Sequence, residues 1–181
     1  MQQWVVTSKR ADFKEIGSRF GIDQVTARII RNRDVVGEEA IHQYLHGTLT
    51  DLADAHRMKD AVRLAEILIR KMQEKKKIRI IGDYDIDGVM SSYILYRAFT
   101  RCGADVDVAI PNRITDGYGL NLHLIEDAIE AGVDTIVTCD NGIAAIEEIA
   151  YAKKKGITVL VTDHHEISYE ETDGERHYLR S

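Results

Sequence analysis

The chain has little of what would place it outside the ordinary globular class. Its single proline leaves no room for proline-rich linkers or polyproline tracts. Two cysteines, Cys102 and Cys139, are too few for a disulfide framework and read as reduced thiols of a cytoplasmic protein. Cys139 lies in an apolar run beside an acid, where packing is its expected role. The longest apolar runs, such as 135–139 and 157–161, are far too short to cross a bilayer, so no membrane is expected. The opening M-Q-Q-W-V-V-T-S-K-R lacks the charged start and apolar stretch of a secretory signal. Positive charge is also scarce. Lys and Arg number 24 against 30 Asp and Glu, which counts mildly against nucleic acid because phosphate favours a basic surface. Part of that negative balance is one local cluster, so net charge does not decide the partner.

What is present is enough apolar residue, 44%, with 30% charged, to fold one moderate domain and a small appendage. Residues 1–75 read as a mostly helical N-terminal region with no catalytic constellation. After a short apolar start at Trp4, Val5 and Val6, helices are expected over Asp12–Phe20, Ile22–Asn32, Glu38–Leu45 and Met58–Met72. The first two faintly suggest a helix-turn-helix, but no basic recognition helix is visible, and a helical packing layer is the preferred reading. Val62, Ala65, Ile69 and Met72 share one face of the fourth helix, and Lys75 to Lys77 complement its C-terminal dipole.

From Ile78 strand and helix alternate strictly. Strands are expected at 78–81, 106–110, 134–139 and 157–162. Helices are expected at 88–101, 122–131 and 143–155, each closed by a glycine. This spacing predicts an α/β domain over 76–181, a parallel sheet with helices on both faces.

In such sheets ligands bind beyond the carboxyl ends of the strands. There the first strand delivers Asp83, Asp85 and Asp87, in I-R-I-I-G-D-Y-D-I-D-G. The second delivers P-N-R-I-T-D-G-Y-G, the third Asp140 in C-D-N-G, and the fourth Asp163, His164 and His165. Like charges gathered at a buried strand end repel one another unless a cation sits among them. Carboxylates with imidazole and no thiolate suit Mn2+ or Mg2+. The acids are numerous enough for two metals, about 3.5–4 Å apart, which can activate water for phosphoester cleavage. Arg113 can hold a phosphate by paired donors and reads equally well as a surface arginine capping its loop. Adjacent histidines leaving a strand point opposite ways, so one can ligate metal while the other faces substrate. A solvated acidic loop with helix-capping aspartates is the competing reading of the D-x-D run alone.

These residues resemble, in order, the first three motifs of the DHH phosphoesterase family: D-x-D in G-D-Y-D-I-D-G, the isolated Asp140, and D-H-H at 163–165. The similarity covers roughly Ile78 to Glu166. Within the family, the first motif and the P-N-R-I-T-D-G-Y-G loop look most like RecJ-type single-strand-specific exonucleases. The resemblance implies a Mn2+- or Mg2+-dependent 5′→3′ exonuclease on single-stranded DNA, acting in DNA repair and recombination. It also implies a single-strand-binding protein or a helicase as protein partner. By position it makes Asp83, Asp85, Asp87, Asp140 and His164 metal ligands, with Asp140 as the bridge. His165 would face the scissile phosphate, Asp163 would orient the histidines, and no covalent intermediate would form. The family carries a fourth motif and a second, substrate-gripping domain downstream, so a fragment of a longer nuclease with little activity of its own is expected, with the polar tail from Ile167 to Ser181 as a loop leading onward. Three alternatives compete with this reading. A family member acting on cyclic dinucleotides or oligoribonucleotides is disfavoured by the G-Y-G loop. A non-catalytic replication scaffold would be expected to have lost metal ligands. A response-regulator domain has no place for D-H-H.

Overall fold

The computed structural model describes residues 9–167, 169–172 and 175–178. Trp4, Val5 and Val6 lie outside them. The chain divides into two compact units, residues 1–59 and 60–181.

The first unit is helical. α1 (Phe13–Phe20) is capped by the Asp12 carboxylate, which accepts from Lys14 and Glu15 backbone N–H groups, and it ends at Gly21 in the left-handed conformation. α2 (Gln24–Asn32) is capped in the same way by Asp23. α3 (Glu38–His46) follows, and the unit buries Ala27, Ile30 and Ile41. Arg28 on α2 stacks over the Phe13 ring, 4.6 Å from its centroid.

The second unit starts ahead of the division expected at 75/76, because α4 (Ala61–Gln73) belongs with the sheet. Its Leu64, Ile67, Leu68 and Met72 pack in one cluster with Ile78 and Ile80. The sheet holds β1 (Ile78–Ile81), β2 (Val106–Ala109), β3 (Thr135–Cys139) and β4 (Thr158–Thr162), all parallel, in the order β2-β1-β3-β4. The period-two alternation of its strands feeds two cores. Ile78, Ile80, Val137 and Cys139 face α4 and α5 (Ile86–Arg101), with Leu68 and Phe99 between them. Ile81 and Ile136 face α6 (Leu122–Glu130) and α7 (Ile146–Lys154) across Leu124, Ile125, Ala128, Ile149 and Ala152. Helices therefore cover both faces, as the spacing predicted.

Two local expectations change. α5 begins at Ile86 rather than Gly88, because Asp85 serves as its N-cap and accepts from the Gly88 N–H at 3.0 Å. The tail after 166, expected as a connecting loop, contains a hairpin of β5 (Tyr169–Thr172) antiparallel to β6 (Glu175–Tyr178). The Tyr169 and Tyr178 rings meet across it at 5.8 Å, the kind of cross-strand aromatic pair that stabilises a short ribbon. Among the described residues no helix is long and apolar enough to cross a membrane.

Candidate metal centre

Strand order decides where a site can form. The chain leaves β1 for β2 on one side and returns to β3 on the other, so a crevice opens between the carboxyl ends of β1 and β3. Asp83 and Asp85 follow β1 and Asp140 follows β3. Asn141 ties the two ends together, donating from Nδ2 to the Ile81 and Cys139 carbonyls at 3.0 Å each.

Asp83 is the most telling residue. It is 1% exposed, and both of its carboxylate oxygens are buried without a hydrogen-bond partner. Gly88 makes that burial possible, since a Cβ there would collide with the Asp83 backbone. An ionised carboxylate left unpaired in a protein interior is costly, and an isolated one persists only when something compensates it. Among the described residues no Lys or Arg pairs with Asp83, Asp85 or Asp140.

Asp140 has φ 61°, a strained angle for a residue other than glycine, which marks a conformation held by its surroundings. Burial pushes its carboxyl above the usual range, and the neighbouring Asp85 carboxylate adds to the rise. The His164 ring opposes both. His164 Nε2 lies 2.7 Å from Asp140 Oδ1. Asp85 itself is held low, first by the Gly88 N–H that its cap role engages.

The second histidine has a different anchor. Asp163, with its side chain 2% exposed, accepts from the Ile143 N–H at 2.9 Å and the His165 N–H at 3.1 Å, and lies 2.7 Å from His165 Nδ1. Burial would raise the Asp163 carboxyl, but these hydrogen bonds outweigh it and hold it low. The hydrogen bond to Asp163 in turn raises the His165 imidazole, so more of it is charged near neutral pH. Ligand-type atoms of Asp140, His164 and His165 lie within 4.8 Å of one another.

Three residues of the centre were not singled out from sequence. Tyr118, inside the G-Y-G loop, places its hydroxyl 3.2 Å from the Asp140 carbonyl and 3.2 Å from His165 Nε2. Burial, then the charges of Asp83, Asp140, Asp163 and Asp85, push that hydroxyl up to about 12, so it stays a neutral donor. Tyr84 meets Tyr118 edge-on at 6.3 Å, and Arg113 lies over the Tyr84 ring at 5.3 Å. Asn141 is the third. The signal for it was its place directly after Asp140, which reads as a turn residue until the neighbouring strand is known.

Asp83, Asp85, Asp140, Asp163, His164 and His165 are thus gathered at one edge. Asp87, exposed in the first turn of α5, reaches that group only through its backbone N–H, which helps hold Asp85 low, and neither the Asp87 carboxylate nor Arg113, exposed on its loop, makes a side-chain contact with it among the described residues.

Fold and centre together define an α/β protein with a candidate hard-cation site of carboxylates and imidazole in the crevice at the strand-order switch. Residues 77–180 match the DHH family, N-terminal domain, and the chain belongs to that family. Among curated proteins it is similar to the single-stranded-DNA-specific exonuclease RecJ of Haemophilus influenzae, 34% identical over 83% of this chain and 26% of the relative. It is similar also to RecJ of Bacillus subtilis, 34% identical over 84% of this chain and 20% of the relative. The chain thus spans about a quarter or less of the length of these relatives. Among solved structures it is similar to exonuclease RecJ bound to manganese, with a TM-score of 0.54 and 36% identity over 57% of this chain and 27% of that one. RecJ from Thermus thermophilus in complex with Mn2+ matches with a TM-score of 0.58 and 26% identity over 91% of this chain and 23% of that one.

Proposed function

We infer that the chain carries the divalent-metal centre of a phosphodiesterase acting on single-stranded DNA, in the manner of a 5′→3′ exonuclease of DNA repair and recombination. The observation that carries the reading is Asp83, a buried carboxylate with two oxygens unpartnered among the described residues, at the sheet edge where Asp85, Asp140 and His164 also stand. The donor set fits Mn2+ or Mg2+: hard oxygens with one imidazole and no thiolate. Asp83, Asp85, Asp140 and His164 would hold the first ion, and Asp140 and Asp87 would reach a second. When bound, such a cation would offer positive charge to the phosphoryl oxygens and lower the pKa of water.

The chain's own groups do the rest. Asp163 fixes His165 through its ring and its backbone N–H, with the Tyr118 hydroxyl 3.4 and 3.2 Å from the two ring nitrogens. A charged His165 offers its Nε2 proton to the departing 3′ oxygen, or its charge to the phosphate. Tyr118, kept neutral, donates without taking charge from the cluster. Arg113, stacked on Tyr84, presents its free edge for a phosphate. A cytoplasmic setting and a single-strand-binding protein or helicase as partner complete the reading, on the strength of the family resemblance.

Calorimetric titration with Mn2+ tests the centre, and labelled single-stranded and duplex DNA test the substrate. The expected results are saturable Mn2+ binding and metal-dependent loss of nucleotides from single strands, both reduced by His164→Ala. Failure to bind Mn2+ would overturn the metal centre. Hydrolysis of dinucleotides with long single strands left intact would move the chain to the small-substrate branch of its family.

A further inference from the structure

A cavity of about 260 Å3 opens beside the centre and shares Tyr118, Asp163 and His165 with it. Leu120, Ile143, Ala144 and Ala145 give it an apolar wall, and Glu148 and Glu166 stand in its lining. It is smaller than the roughly 300–1,000 Å3 of pockets for drug-sized ligands, which leaves room for little more than one ring system. Neither glutamate's carboxylate has a hydrogen bond or ion pair with a described residue. Glu148 lies in the first turn of α7, where an acid complements the helix dipole. Glu147, in the same turn and outside the cavity, serves that purpose equally.

An apolar slot with carboxylates in its lining, touching the imidazole that would face the scissile phosphate, has the chemistry of a base pocket. We propose that this cavity receives the base of the nucleotide being released and favours bases that carry an exocyclic amino group. The proposal rests on the phosphodiesterase reading above. Ionised carboxylates only accept hydrogen bonds. They pair with an amino group such as N4 of cytosine, whereas uracil and thymine present a carbonyl oxygen at that position and are repelled. The centre thereby gains a grip on the leaving nucleotide beyond its phosphate.

The test is a nuclear magnetic resonance titration of the isotope-labelled 181-residue chain. Mg2+ alone is added first, then deoxycytidine 5′-monophosphate or deoxyuridine 5′-monophosphate, which differ in the group at position 4, amino against carbonyl, and in the hydrogen on N3. Mg2+ scores the metal reading on the Asp140 and His164 signals. The nucleotide scores the cavity on Ala144 and Ala145, so either reading can fail without the other. The cytidine compound is expected to shift the Ala144 and Ala145 signals at about five- to ten-fold lower concentration than the uridine compound, the worth of one hydrogen bond to a charged group. Glu148→Ala with Glu166→Ala should close that gap, and Ala144→Phe, which fills the slot, should abolish the shifts. Equal half-saturation for the two nucleotides, or no nucleotide-dependent shift at Ala144 and Ala145, would overturn the proposal.

Discussion

The two ends of the parallel sheet carry aspartates in quite different states. At the amino end, Asp107 receives Arg79 through two hydrogen bonds of 2.7 and 2.8 Å, with Lys77 at 3.4 Å. Asp134 sits 2.6 Å from Lys71 and accepts from the Thr135 hydroxyl. Both carboxyls are held below the usual range. For Asp107 the Arg79 hydrogen bond is the chief cause, and for Asp134 the contacts to Lys71 and Thr135 overcome its burial. At the carboxyl end, the Asp83 carboxylate has no partner among the described residues, and Asp140 has the His164 ring on one side and a repelling Asp85 on the other. The fold can supply lysine and arginine where charge is structural. Where it leaves acids together without a cationic side chain, a shared proton or a bound cation can balance them, and the cation is the reading proposed above. Acidity alone does not mark a site; unpaired acidity in a buried setting does.

Breaking the carboxyl end should give the largest effect. Asp140→Ala is expected to lower Mn2+ affinity by at least about 100-fold, since even outer partners of metal ligands are worth 10- to 100-fold; calorimetry reads it directly. An affinity unchanged within a factor of two would mean that Asp140 is no ligand. Gly88→Ala attacks the same end through the backbone. Its Cβ must displace the Asp83 main chain, for an expected loss of about 3 kcal/mol in urea unfolding together with weaker metal binding.

Asp83→Asn separates stability from binding. Removing a buried unpaired charge should stabilise the metal-free chain by about 1–3 kcal/mol. The same change should cancel the stabilisation that saturating Mn2+ gives the unsubstituted chain, about 2.7 kcal/mol at 100 times Kd. A destabilised metal-free variant would show that Asp83 is compensated after all.

The smallest effect belongs to the amino end. Asp107→Asn should cost about 1–2 kcal/mol, because the hydrogen bonds to Arg79 are charge-assisted but partly screened by solvent. Mn2+ affinity should not change. This pair also sets a pH dependence. The native Asp107 carboxyl is depressed below its ordinary 3.8, so its contribution is present above 3.8 and is lost as pH falls through the lowered native value. Urea midpoints measured down the acid limb should fall less steeply in Asp107→Asn.

How much of this could be read from the chain varies with range. Alternation of apolar runs and glycine-closed helices was enough for the four strands and the faces that they bury. The edge at which Asp83, Asp140, Asp163 and the histidines gather follows from parallel topology alone. Strand order was not legible, since nothing local says that β1 sits beside β3, and the bond from Asn141 to Ile81 stayed invisible with it. The hydroxyl of Tyr118 was hidden for the same reason, because its partners lie 22 and 47 residues further along the chain. The early start of α5 is a local matter. An aspartate three residues before a glycine N–H reads equally as a metal ligand and as a cap, and Asp85 acts as a cap here while lying against Asp140.

The bond from Asn141 to the Ile81 carbonyl spans 60 residues of chain, and the pairing of β1 with β3 spans a similar loop. Contacts of that separation are slow to form, because loop-closure entropy must be met before they contribute. The two halves of the centre are strangers until that pairing exists, so an unfolded or half-folded chain has no cation site to fill. Capture of metal then becomes a report on completed folding. In a stopped-flow refolding experiment, the appearance of Mn2+ affinity should trail the burial of the sheet rather than precede it.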